Sequence, residues 1–219
     1  MLDTALSTNN SNLKFYRNID LDYFKKLAEN GGFNLYTDLE LIYDEIVQAD
    51  SILELGAGYG RCLEFLVQKQ YKGKIFAVEQ SPKLVKYLRQ VYADKVEIIH
   101  GDIKSMKIPQ KVDLALWMWS GLSDFSKEEQ KICFQRIADC LNDNGKVVID
   151  VPRVGVKTFG IHQDDQNLIV VTPYGKMKCY IPNEEDVKET AGSAGFKLLR
   201  SIDYKTMKEK ERTMFIIQK

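Results

Sequence analysis

The sequence predicts an α/β fold: a doubly wound, mostly parallel seven-stranded sheet with an antiparallel last strand and an inserted β-hairpin. Three observations carry this. Short apolar runs alternate with helix-period segments from Ser51 to Val151, the signature of a parallel sheet covered on both faces. The alternation lapses between Arg153 and Ile181, where "NLIVVTPYGKMKCYI" reads as two strands about a turn. Finally, 196–204 and 212–219 are strand-like and joined by the short charged link "KTMKEKE", too short for a helical crossover and therefore antiparallel.

Taken in order, the early Ser, Thr and Asn residues of "MLDTALSTNNSNLKF" suggest a loose lead-in or a mobile lid edge. Residues 20–30 and 38–48 read as two helices, with Leu21, Phe24, Leu27 and Ala28 on one face and Leu39, Ile42, Tyr43 and Ile46 on another. "SILEL" at 51–55 is a buried strand, followed by a helix from Arg61 to Gln68. Strand 74–79 leads to Ser81-Pro82, a cap and a first-turn proline for the next helix. Strands follow at 96–100 and 112–119. Ser126 and Glu129 form a capping box for a helix running to about Leu141, where "DNG" stops it before strand 146–152. A last helix, capped by Asn183, spans 184–194. Residues 1–50 thus read as an N-terminal helical lid, and 51–219 as the main domain with 153–182 inserted.

Composition sets bounds. Among 219 residues, 31 Lys and Arg balance 31 Asp and Glu, so no bulk positive field draws the chain to nucleic acid or an anionic membrane. The four cysteines show no CxxC pair; reduced cytoplasmic thiols are the expected state, with no metal. There is no secretory leader pattern and no apolar run of membrane-spanning length.

The chemistry concentrates in "ILELGAGYGR", Ile52 to Arg61. A dinucleotide fingerprint needs G-x-G-x-x-G, but here the third glycine arrives one residue early and Arg61 stands in the last place. Glu54, ahead of the first glycine, would repel a pyrophosphate and favours a ligand with a cationic group. "LELGAGYGR" resembles the first motif of the class I S-adenosylmethionine-dependent methyltransferases, [DE]-x-G-x-G-x-G, with their Rossmann-like fold. The resemblance extends motif by motif from about Ser51 to Val151.

It implies S-adenosylmethionine as cofactor, S-adenosylhomocysteine as product, and a cofactor site of Glu54, Gly56, Ala57, Gly58, Gly60 and Arg61. Glu79, with Gln80 after it, takes the place of the acid that accepts from both ribose hydroxyls. Asp102 takes that of the residue meeting the adenine N6 amino group, and the backbone of Ile103 that of the adenine edge. Singly, Glu79 also reads as a solvated strand end, Asp102 as a turn-former and Arg61 as a solvated first-turn arginine. Tyr36, in "GGFNLYT", is the tyrosine placed for the methionine end. Trp117 stands among the cofactor-side candidates, although its position inside the strand also suits the core.

On the acceptor side, Trp119 is the residue expected to line the site, and Asp124 either a cap or a substrate contact. His162, within the insertion, is the candidate general base; His100 reads as structural. The [DNS]-P-P-[YFW] tetrapeptide of enzymes acting on exocyclic or amide nitrogens is absent. The expected activity is methyl transfer to an N or O atom of a small molecule, with a protein acceptor or a non-catalytic binding module as alternatives.

Overall fold

A computed structural model describes residues 8–219. Its main sheet contains β1 (Ser51–Leu55), β2 (Lys74–Glu79), β3 (Glu97–His100), β4 (Val112–Trp117), β5 (Leu141–Pro152), β9 (Lys197–Lys205) and β10 (Glu211–Gln218), ordered β3-β2-β1-β4-β5-β10-β9. The first five strands run parallel, and β10 is antiparallel to both β5 and β9. All five residues of β1 are buried, as a central strand covered on both faces must be. The chain order reverses between β1 and β4, which opens a crevice at the carboxyl ends of these strands.

Helices α4 (Tyr43–Gln48), α5 (Arg61–Gln68) and α6 (Pro82–Tyr92) cover one face, packing Ile46, Phe65, Leu66 and Leu88 against Ile52 and Ala77. Helices α7 (Lys127–Cys140) and α8 (Glu184–Gly192) cover the other, burying Phe134, Ile137 and Val187 against Trp117 and Phe215. Both predicted capping boxes form, Ser126 with Glu129 and Asn183 with Asp186. They satisfy end N–H groups that the core cannot reach.

The insertion is a separate antiparallel sheet, β6 (Ile161–His162), β7 (Asn167–Thr172) and β8 (Gly175–Tyr180), in that order. The expected hairpin is β7–β8; the two-residue β6 lacks enough alternation to be read from sequence.

The N-terminal region departs more. Thr8–Asn18 is a helix, α1, rather than a loose lead-in, while the first seven residues lie outside those described. Asn12 holds it, donating from Nδ2 to the Lys178 carbonyl and accepting the Lys178 N–H at Oδ1. Helix α2 (Leu21–Gly31) forms as expected, with Asp20 capping it. The second predicted helix divides into α3 (Thr37–Glu40) and α4 around Leu41 and Ile42. Leu39, Ile42 and Ile46 join the core beside the sheet, so residues 37–48 are not part of the cover over the crevice.

Arg61 ties these regions together. Its guanidinium makes two bonds to Asp38, Nη1 to Oδ1 at 2.9 Å and Nη2 to Oδ2 at 2.5 Å, and donates to the Phe33 carbonyl. Arg61 and Asp38 are 4% and 1% exposed, so deleting one partner strands a buried charge, at a cost of about 3–5 kcal/mol. Asp38→Ala should therefore lower the unfolding free energy in urea by about that amount. A loss under about 1 kcal/mol would show the pair to be solvated.

Candidate active site

A cavity of about 590 Å³ opens at the carboxyl ends of β1, β2 and β4. Its floor is the turn after β1. Gly56 has φ +69° and a Cβ built there meets nothing within 4 Å, so bare backbone faces open space. Gly60 acts differently: a Cβ would lie 2.7 Å from the Tyr92 ring and 2.8 Å from Leu88. Its glycine permits α5 to approach α6, and it does not line the cavity.

Two acids define the cofactor side. Glu79, at the end of β2, accepts the Gly58 N–H at 2.8 Å and the Ser81 N–H at 2.7 Å. Ser81 stands at the cap position of α6 but makes no side-chain cap; its hydroxyl instead donates to the Tyr16 carbonyl on α1. Burial pushes Glu79 up to about 7 despite the backbone bonds. Glu54, 4% exposed, has no hydrogen-bond partner for Oε2 among the described residues. Burial lifts it to about 8, opposed by a bond from Cys62 and by Arg61. The two pKa values follow one leading cause, desolvation of a carboxylate that has no ion-paired cation among the described residues.

The far wall is aromatic. Trp119 stacks on Phe24 at 5.3 Å and lies 5.5 Å from Phe33 and 6.3 Å from Tyr59. It is held there in a left-handed conformation, φ +49°, followed by Ser120 at +69°. A buried network fixes both: Asp150 Oδ2 accepts the Trp119 N–H, the Asp150 carbonyl accepts the Ser120 N–H, and Arg212 bonds Asp150 and Ser120 Oγ. Strain of this kind persists only where surroundings over-determine it. The remaining wall comes from Pro152, Val156 to Phe159 and the inner face of the inserted sheet, with Leu168, Val170, Met177 and Cys179. Helix α1 contributes Leu13, Phe15 and Tyr16 as a roof.

Of the residues singled out by sequence, Glu54, Gly56, Ala57, Gly58, Arg61, Glu79, Gln80, Ile103, Trp117 and Trp119 line this one cavity. Arg61 does so with its guanidinium committed to Asp38. Trp117 is fully buried beside Phe125 and Phe134, yet its indole N–H has no partner among the described residues.

Tyr36 does not line the cavity. It packs against Phe65 on the outer side of α5 with Glu64 beside it, and burial pushes its hydroxyl up to about 12. Asp102 accepts the Lys104 N–H at Oδ1 and the Gln80 amide at Oδ2, beside the cavity-lining Gly101 and Ile103. His162 does not line the cavity; its Nε2 accepts the Thr158 N–H at 3.1 Å. His100 is tied at Nε2 to the Gln80 carbonyl.

Sequence reasoning missed Tyr16, Phe24, Phe33, Ser123 and Arg212. Apart from the small polar Ser123, their apolar or paired character looks like core until the chain folds over the crevice. Among the described residues no group of three or more His, Cys, Asp or Glu side chains is placed to hold a metal.

The residues present fit S-adenosylmethionine: an unpartnered buried carboxylate oxygen on Glu54, a glycine turn open to the cavity, and a second carboxylate on Glu79 after β2. A pH dependence follows. Glu54 is raised in the folded state to about 8, well above its unfolded value of about 4.3. The folded state therefore binds its proton more tightly, and stability falls as pH rises between these values. Glu54→Gln should raise the melting temperature of the ligand-free protein by a few degrees at pH 8, each kcal/mol being worth about 2–4 °C in a chain of this size. The gain should shrink towards pH 5. A variant no more stable at pH 8 than at pH 5 contradicts the assignment.

A family described as methyltransferase domain matches residues 52–145. Over 68 residues the chain is 37% identical to a probable ribosomal RNA small subunit methyltransferase A from Methanococcoides burtonii. That match covers 30% of this chain and 24% of the relative, so the chain spans about a quarter of the curated relative's length. Among solved structures, an S-adenosylmethionine-dependent methyltransferase from Clostridium acetobutylicum superposes with TM-score 0.66 at 17% identity, covering 90% of this chain and 98% of that one. The amino pentose methyltransferase CalS10 of Micromonospora echinaspora, bound to S-adenosylmethionine, gives 0.68 at 12% identity over 92% and 98%. The glycopeptide N-methyltransferase MtfA, in complex with S-adenosylhomocysteine, gives 0.67 at 11% over 83% and 88%. At these identities the superpositions speak for the fold. Residues 52–145 thus match a methyltransferase domain, and the whole described chain has the fold of S-adenosylmethionine-dependent methyltransferases.

Proposed function

We propose that the protein transfers the methyl group of S-adenosylmethionine to an N or O atom of a small-molecule acceptor. The observation that carries this reading is the enclosure of the cavity: the glycine turn and the aromatic wall share one space under α1 and the inserted sheet. Residues 8–33 and 153–182 supply the cover, as a metabolite site requires.

The cofactor supplies an electrophilic methyl group on a sulfonium. Around it the chain's own residues bind and orient. Glu79 has lone pairs beyond those used by Gly58 and Ser81, and these would accept from the ribose hydroxyls. The free oxygen of Glu54 would face the ammonium of the amino-acid head. Ile103 would border the adenine. Gln80, which follows Glu79 on the same wall and donates to Asp102, would be a polar neighbour of the ring. Trp119, Phe24, Phe33 and Tyr59 would exclude water and hold the acceptor in line, and most of the rate then comes from proximity and desolvation. His162 has no part in this arrangement. The four cysteines are free, which suits a cytoplasmic enzyme.

The relatives named as ribosomal RNA methyltransferases raise a nucleic-acid acceptor as a second reading. The overlap spans about a third of the chain, and the zero net charge supplies no electrostatic footprint for a polyanion.

Protein incubated with methyl-labelled cofactor and either a metabolite extract or total RNA separates the two. Label should enter small molecules and not RNA. Glu79→Ala should weaken cofactor binding at least about tenfold, since each bond to a charged group is worth roughly 1.5–3 kcal/mol. Label found only in RNA would overturn the small-molecule reading, and an unchanged dissociation constant in the variant would remove Glu79 from the site.

A further inference from the structure

The cavity's charges do not balance. Arg61 is neutralised by Asp38 and Arg212 by Asp150. At the exposed rim Lys157 and Lys210 add positive charge, and Glu209 and Glu211 pair with Lys205 and Arg153. In the depth of the cavity three carboxylates, Glu54, Glu79 and Asp124, are each no more than 9% exposed and have no ion pair to Lys or Arg among the described residues. The cofactor reading engages two of them. Asp124 is left over.

Asp124 belongs to the 3-10 turn Gly121–Asp124 after β4, between α1 and the inserted sheet. Its Oδ2 accepts the Tyr16 hydroxyl at 2.7 Å and its Oδ1 accepts Asn12 Nδ2 at 3.1 Å. A carboxylate has about four acceptor sites, so each oxygen retains capacity for a guest. The neighbouring Ser123 hydroxyl is 2% exposed, lines the same cavity and has no hydrogen-bond partner among the described residues. A buried polar atom left unmade costs roughly 1–3 kcal/mol, and that cost is relieved when a ligand supplies the bond. The same cavity has an apolar wall in Leu168, Met177 and Ile181 from the insertion and Phe125 just after the turn.

Resting on the methyl-transfer reading above, we propose that Ser123 and Asp124 anchor the acceptor, and that the acceptor is an amine carried on an apolar body. An ammonium would gain a charge-assisted bond in a water-poor site, whereas an alcohol gains only a neutral donor's bond. Carboxylate, phosphate and nucleic-acid acceptors meet an unscreened like charge. Chemistry follows the same group. The ammonium proton passes to the Asp124 carboxylate. The freed nitrogen lone pair forms the N–C bond while the C–S bond breaks, its electron pair leaving with sulfur. The product leaves as the methylated ammonium, and the protonated Asp124 releases the one proton of the reaction to solvent. Burial holds Asp124 at about 6, nearer the range of an amine than a solvated aspartate is, which makes the transfer less uphill.

The test is calorimetry on the protein saturated with S-adenosylhomocysteine. It is titrated at pH 7.5 with n-hexylamine, 2-phenylethylamine and the alcohol of each. At least one amine should bind about tenfold more tightly than its alcohol, the factor expected of one charge-assisted bond. Asp124→Asn, which keeps an acceptor for Tyr16, should abolish the preference. Should that variant lose α1 and unfold, Ser123→Ala removes only an unpartnered hydroxyl; it should cost the amine about fivefold and the alcohol less. If no amine outbinds its alcohol, or the preference survives both substitutions, the proposal is wrong. Cofactor binding, measured first in the same cell, separates the two claims: its absence overturns the methyl-transfer reading as well, and its presence confines failure to the acceptor class.

Discussion

The N–H groups of Gly58 and Ser81 converge on one buried carboxylate, Glu79, and the shape of the crevice depends on that convergence. It fixes the turn after β1 against the turn after β2. From there a polar path runs across the opening: Ser81 Oγ to the Tyr16 carbonyl, and the Tyr16 hydroxyl to Asp124. Helix α1 is placed by this path at one end and by Asn12 on Lys178 at the other. The floor, the roof and the acceptor wall are therefore one hydrogen-bonded system.

Such a system is expensive without a guest. Glu54, Glu79 and Asp124 are each raised by burial, to about 8, 7 and 6, and a raised carboxylate reports free energy spent on desolvation. The nearby arginines relieve it only in part, Arg61 acting on Glu54, because each has its own aspartate and caps structural corners: Arg61 the start of α3, Arg212 the left-handed step at Trp119 and Ser120. A cavity whose depth holds desolvated carboxyl groups without ion-paired cations, its free lysines lying at the exposed rim, is arranged for cationic ligands. That arrangement distinguishes a sulfonium and ammonium ligand from a pyrophosphate one on grounds independent of glycine spacing.

The sheet was legible because a buried parallel strand leaves an unbroken apolar run and its helices carry caps and periodicity; "SILEL" and the Ser126–Glu129 box are the clearest cases. Helix α1 was not, since "TNNSNLKFYRN" has weak local preference and Asn12 bonds to a residue 166 positions away. At the site, sequence order located the turns but not the directions of side chains. Glu79 turns in, whereas Asp102 turns back on Lys104 and His162 on Thr158. Gly60 shows the same limit: a glycine in the motif serves helix packing, while Gly56 faces the cavity. The aromatic wall escaped notice because Phe24 and Phe33 have the same pattern as core residues.

The central claim is that the crevice holds protonated carboxylates that ionise when a cationic cofactor arrives. Calorimetric titration with S-adenosylmethionine at pH 7, repeated in buffers of different ionisation enthalpy, counts the protons exchanged. Because Glu54 and Glu79 sit near 8 and 7 in the ligand-free protein and a neighbouring cation lowers a carboxylate's pKa, binding should release about one proton. Binding with no proton change, or with uptake, would contradict the account.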